Sequence, residues 1–275
     1  MIWPRRSRSA QGAAQGSKRT VILHIGHFKT GTTALQSFLT ANDRRLRAAG
    51  VLYPKAQQHN AKHSPLVFAL LKAAGVDSFL YNYTSDETPG QVWAPVWDEW
   101  DKSRCDTLLI SSEEFMRFGA CPGAMDQLLK VLKGAGPDVD IRIIAYLRNP
   151  AEHLPSWYNQ LIKMRIAVPD YAQAVTQTME DVHIDYAAAL RPWREAFGDG
   201  ALTLRPYHAG LRANLGADLG ADLGVARAIY DDFFAALGLD SPVGAAWHVP
   251  KADPNPRLDP RVTELRRVTT LLGYP

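Results

Sequence analysis

Cysteine is scarce in this 275-residue chain. Cys105 and Cys121 are the only two, with no CxxC spacing and no histidine pair at finger spacing. A disulfide framework and a structural zinc finger are thereby excluded, no metal is expected, and the usage fits a reducing, cytoplasmic compartment. Long hydrophobic runs are also missing. The longest (Pro65 to Leu71) is far short of the ~20 residues of a membrane helix, so no stable membrane insertion is expected. Charged residues make up 21% of the chain and hydrophobic ones 46%, which excludes disorder over most of it and any collagenous or coiled-coil rod. The formal net charge of +3 is local in origin. Arg5, Arg6, Arg8, Lys18 and Arg19 stand in the first twenty residues without an acid, and the remaining 26 basic residues meet 28 acidic ones. A nucleic-acid face needs clustered Lys and Arg, so no nucleic-acid partner is expected, while a local anion pocket stays open.

What is present reads as α/β, a central mostly parallel sheet flanked by helices. Residues 1–19 predict a disordered basic tail without the apolar stretch of a secretory signal. Residues 20–275 read as one domain. Thr20 to Ile25 is apolar or β-branched on both faces, as a buried parallel strand is. Further strands are expected at Asp106–Ile110, Asp140–Leu147 and Ala201–Arg205. Helices are expected at Ala124–Lys133, Ala151–Arg165, 170–180, 184–197 and Val225–Leu237, the last closed by Gly238. Strands alternating with helices give the parallel sheet. Trp93, Trp97 and Trp100, spaced i, i+4, i+7, read as a buried helix face. The repeat Gly216–Gly224 is too short for a solenoid. A helical stretch begins shortly before Pro275 and reads as cut short.

The first strand runs into Gly26-His-Phe-Lys-Thr-Gly31 and then a helical pattern from Thr32. A glycine-bounded loop there aims backbone N–H groups and the positive end of the helix dipole at one anion. The usual phosphate loop continues Gly-Lys-Ser/Thr. Here Thr32 takes that lysine place and the lysine sits inside the loop, at Lys29. That arrangement suits an anionic leaving group neutralised by an ammonium and amides rather than by Mg²⁺, and it argues against the alternative of a nucleotide-dependent kinase.

Lys29-Thr-Gly-Thr-Thr33 after a buried strand resembles the 5′-phosphosulfate loop of sulfotransferases that use 3′-phosphoadenosine 5′-phosphosulfate (PAPS). Arg148, at the end of the third strand, and Ser156 eight residues on resemble that family's 3′-phosphate site. Asp185-Tyr186, Trp193, Phe197-Gly198 and Asp232-Phe233 follow the spacing of its bacterial carbohydrate-type members. The resemblance covers Thr20 to about Asp240. It implies a P-loop-like sulfotransferase fold, PAPS as donor, 3′-phosphoadenosine 5′-phosphate (PAP) as product, and an acceptor hydroxyl or amine on a carbohydrate, a glycolipid or another small molecule. A relative that binds nucleotide without turnover is the other alternative. Lys29, Thr30, Gly31, Thr32, Thr33 and Ala34 are then expected to hold the 5′-phosphate, and Arg148 and Ser156 the 3′-phosphate. Lys29 is also expected to steady the leaving oxygen. Glu113 is the first choice for the base that takes the acceptor proton, with His63 and His59, expected on one helix face, as the others. Glu114 is expected to point elsewhere, and pairing of Glu113 with Arg117 is the non-catalytic alternative. Gln160 and Lys163, beyond Ser156, are expected to line the site, and His24 to be structural. The late Arg/Lys-x-Gly lid of many such enzymes has no clear copy, and Asn255-Pro-Arg257-Leu258 is the candidate stand-in.

Overall fold

The computed structural model describes residues 18–79, 83–121, 123–212, 228–242, 247–249 and 258–274. In chain order these form β1 (Thr20–Gly26), α1 (Thr32–Ala41), α2 (Asp43–Ala48), β2 (Val51–Leu52), α3 (Ser64–Ala73), α4 (Pro89–Lys102) and β3 (Thr107–Ser111). A 3-10 turn (Glu113–Gly119), α5 (Ala124–Leu132), β4 (Asp140–Arg148), α6 (Pro150–Lys163) and α7 (Tyr171–Gln177) follow. After a short turn (Asp181–His183) come α8 (Tyr186–Phe197), β5 (Leu202–Tyr207), α9 (Ala209–Arg212), α10 (Ala228–Leu237) and α11 (Pro260–Leu271).

The strands form one sheet in the order β2-β3-β1-β4-β5, every pair parallel. β1 runs up the middle, with Leu23 in register between Ile110 and Ile143. Both of its faces are buried, which is why its sequence is apolar without alternation. Val21, Leu23 and Ile25 pack into a core with α3, α4, α5 and α8, and Ile22 into a second core with α1 and α10. β3 and β2 are added on one side of β1 and β4 and β5 on the other, so the loop after β1 opens at the carboxyl edge, at the switch point where such sheets take ligands. Near that edge the β1–β4 register shifts between His24 and Gly26, which re-aims the chain as it leaves the strand.

Expected strands and helices appear within a few residues of their predicted bounds. The tryptophan stripe is the core face of α4, with Trp93 and Trp100 fully buried. Gly238, at φ 78°, ends α10 as a left-handed cap. β2 and α3 have no counterpart in the sequence reading. His59 and His63 do not share a helix face. His59 pairs with Lys62 in an antiparallel bridge, Asn60 and Ala61 between them have positive φ, and the helix starts only at Ser64, ahead of Pro65. The tail through Ser17, the Gly216–Gly224 repeat and residues 255–257 of the candidate lid lie outside the described residues. No helix among the described residues is long and apolar enough to cross a membrane.

Candidate active site

The loop between β1 and α1 is braced from inside. The Thr30 hydroxyl donates to the His27 carbonyl at 2.6 Å, so this side chain closes the turn. Gly31 begins α1 in the left-handed region at φ 78°, and no side chain caps the helix. A Cβ there would stand 2.6 Å from Ile229 Cδ1 and 3.1 Å from Tyr207 Cε2, so glycine is required on both counts. The N–H groups at the start of α1 thus form an uncapped positive helix end. Lys29 itself is left-handed at φ 62°, a conformation that costs a non-glycine residue roughly 1 kcal/mol or more and clusters at functional sites. Its ammonium donates to Gln160 Oε1 at 3.0 Å.

That contact ties the loop to α6, and β4 reaches the same helix. Arg148, 5% exposed at the end of β4, gives Nε and Nη2 to Glu152 Oε2 at 3.1 and 2.9 Å. Glu152, Ser156 and Gln160 are spaced four apart on a helix, and so lie on one face. Ser156, half-buried, stands on that face between the residues that hold the two cations. The Arg148 guanidinium also lies 6.0 Å from the Tyr207 ring centre, against which Gly31 sits. The Tyr186 hydroxyl donates to the Arg148 carbonyl at 2.7 Å, and Asp185 caps α8 by accepting from Ala188 N–H. These contacts give the Asp185-Tyr186 pair its physical role. Phe28 packs on Trp157, pressing the loop against α6. The arrangement can hold one anion at the α1 end and a second at the β4 end.

Behind the loop, three buried imidazoles meet: His27, His153 and His183, with ligand-capable atoms within 4.8 Å of one another. His27 donates from Nε2 to the Val182 carbonyl and accepts the Phe28 N–H at Nδ1, so both of its nitrogens are engaged. His153 Nε2 lies 3.1 Å from His183 Nδ1. Burial lowers His27 to about 4 and His153 to about 3, the latter helped by the adjacent His27 ring and by the Arg148 and Lys29 charges. Burial likewise lowers His24 and His63 to about 4 and drives His183 down. These side chains stay neutral in the folded protein, whereas the unfolded chain takes up protons below about 6.5. Stability is therefore complete above that value and lost as pH falls toward 4. Thermal melts should show a constant Tm down to about pH 7 and a steep decline between 6.5 and 4. His153→Gln should flatten that decline by up to one proton.

Glu113 follows β3 and starts a 3-10 turn. A Cβ on Gly26 would lie 2.9 Å from Glu113 Cβ and 3.1 Å from its Cα, so this residue sits directly against the entrance to the anion loop. Gln36 of α1 donates to Glu113 Oε2 at 3.1 Å and to Ser111 Oγ at 3.2 Å. Lys62 donates to Glu113 Oε1 at 2.8 Å and to Glu114 Oε1 at 2.6 Å. Glu114 therefore converges on the same ammonium instead of pointing away, because the 3-10 turn brings neighbouring side chains closer than a strand does. It also accepts a very short bond from the Ser112 hydroxyl. Burial opposes ionisation of Glu113, but Lys62 and Gln36 outweigh it and hold the carboxyl below its usual range. Burial and the Glu113 charge instead push Glu114 up. Arg117 pairs with Glu180, not with Glu113.

His63 is fully buried, donates from Nε2 to the Pro54 carbonyl at 2.9 Å and accepts the Ser111 N–H at Nδ1. Both nitrogens are engaged in joining the loop after β2 to β3. His24 lies 2.8 Å from Ser111 Oγ, inside the sheet. Lys62 and Gln36 escaped the sequence reading. Neither belongs to a motif, and only the position of Gln36 in the first turns of α1, beside the loop, hinted at a role.

No protein-family model matches this chain, and no curated protein matches it. A solved sulfotransferase from Alicyclobacillus acidocaldarius is similar at a TM-score of 0.48 and 16% identity, over 92% of this chain and 96% of that one.

Proposed function

We propose that this protein transfers a sulfuryl group from PAPS to an acceptor hydroxyl or amine on a carbohydrate, glycolipid or other small molecule. The observation that carries the reading is the α6 face on which Lys29 and Arg148 meet Gln160 and Glu152, with Ser156 between them. The donor carries two separate anions, the 5′-phosphosulfate and the 3′-phosphate. Thr32, Thr33 and Ala34 at the α1 N-terminus and Lys29 suit the first, and the planar fork of Arg148 with the Ser156 hydroxyl suits the second. As sulfur passes to the acceptor oxygen, the S–O electron pair leaves with the phosphate, where Lys29 meets the growing charge. Glu113, ionised beside the loop, takes the acceptor proton. Thr30 braces the turn. No step requires a metal.

Competitive titration tests the donor. PAP is expected to bind in preference to ATP with Mg²⁺, and the reverse order hands the site to a kinase. A labelled-sulfate transfer screen over glycans, lipids and phenols then tests turnover. PAP binding without any transfer identifies a non-catalytic relative.

A further inference from the structure

Lys62 belongs to no motif, and its geometry is unusual. It comes from the loop between β2 and α3, 51 residues from Glu113 in sequence, and is 8% exposed. Its ammonium is shared by two adjacent carboxylates, at 2.8 and 2.6 Å. Asn60 and Ala61 immediately before it hold left-handed backbone, and the His59–Lys62 bridge closes the turn, so the loop is shaped to deliver this side chain. A surface lysine needs no such delivery. Two buried carboxylates without a cation would repel each other and share a proton at rest. A lysine held by Glu113 alone would make that carboxylate too poor a proton acceptor.

Resting on the transfer reading above, we propose that Lys62 is a positioning residue for the base. Gripped by both glutamates, it keeps Glu113 ionised against the loop, and Glu114 retains the ammonium when Glu113 becomes protonated. In that step the acceptor O–H bond breaks as its oxygen bonds to sulfur. The proton moves to a Glu113 carboxylate oxygen, and the bond from sulfur to the bridging phosphate oxygen breaks with its electron pair leaving on the phosphate. Lys62 stays paired throughout, so no buried ammonium is stranded. The charged and titratable groups facing the pair are His24 from β1, Tyr53 from the β2 end, Lys62, and Arg117 from the 3-10 turn. His24 and Tyr53 are neutral at physiological pH, because burial lowers the imidazole to about 4 and raises the phenol. Arg117 is committed to Glu180. Lys62 is therefore the cation that controls the pair.

The test uses the full-length protein with glutamate carboxyls labelled with ¹³C, resonances assigned through Glu113→Gln and Glu114→Gln. Two coupled titration steps are expected in the wild type. Lys62→Met should raise the Glu113 step by at least ~1 pH unit. It should raise the Glu114 step as well, Glu113→Gln should lower that step by removing the Glu113 charge, and Lys62→Arg should keep both near their original values. Opposite shifts from two neighbouring substitutions are not what a merely structural contact gives. Acceptor-independent hydrolysis of PAPS, with water as acceptor, is followed in parallel, and the acid limb of its pH profile should move with the titration. An unmoved Glu113 step in Lys62→Met overturns the proposal. So does a moved step that the rate profile does not follow. Failure of the wild type to bind or hydrolyse PAPS is a different result. It removes the transfer reading, and the base role with it, even where the carboxylates still shift.

Discussion

Lys29→Ala should cut sulfuryl transfer by roughly 10²-fold or more. Loss of one pre-placed charge-stabilising donor costs about 2.7–4 kcal/mol at the transition state. The competing explanation for such a loss is a collapsed loop, and the backbone at this position separates the two. Lys29 has φ 62°, and alanine in its place carries the same Cβ and the same left-handed cost. The Thr30 bond to the His27 carbonyl, the two His27 bonds and the Phe28–Trp157 contact all survive the substitution. What disappears is the ammonium with its contacts, the bond to Gln160 among them. Lys29→Gly sharpens the test. It relieves the backbone cost and should raise Tm, while the rate should fall as far as with alanine. Single-turnover rates and melting curves on both variants are sufficient. A rate near the wild-type value in either would remove Lys29 from the chemistry.

How much of this was legible from the residues depended on whether the cause was local. β1 and β4 were readable because a strand buried on both faces must be apolar throughout. The loop was readable because glycine spacing between a strand and a helix is a short-range pattern, and Gln160 was reached by counting turns along α6 from Ser156. β2 was missed because two residues carry no periodicity. The histidine reading failed for a similar reason: four-residue spacing suggested a helix, but left-handed residues at 60 and 61 folded the segment into a turn. The Lys62 grip on Glu113 and Glu114 spans 51 and 52 residues. The three imidazoles behind the loop come from three separate elements. Such contacts are products of chain topology, and no local pattern in the sequence encodes them.

Arg148→Ala should weaken binding of PAP by about 10- to 100-fold, the range for losing charge-assisted hydrogen bonds worth roughly 1.5–3 kcal/mol. Binding of the analogue with a free 3′-hydroxyl should change little. The structure supplies an internal control, because Arg148 is already occupied. Its Nε and Nη2 hold Glu152 Oε2, and the Glu152 side chain is 48% exposed. A 3′-phosphate arriving at Arg148 competes with this carboxylate, so Glu152→Gln should tighten PAP. The gain should be small, about 5-fold at most, since a half-exposed ion pair contributes up to roughly 1 kcal/mol. Both substitutions disrupt the same ion pair, so damage to the fold would push their effects in one direction. Recognition of the phosphate by Arg148 pushes them apart. The Tyr186 bond to the Arg148 main-chain carbonyl is untouched by either change and keeps the end of β4 in place. Isothermal titration of both nucleotides against the three proteins decides the matter. Equal losses on PAP and its 3′-hydroxyl analogue in Arg148→Ala would mean that the guanidinium supports the cleft without reading the phosphate, and would leave Ser156 without a partner in that task.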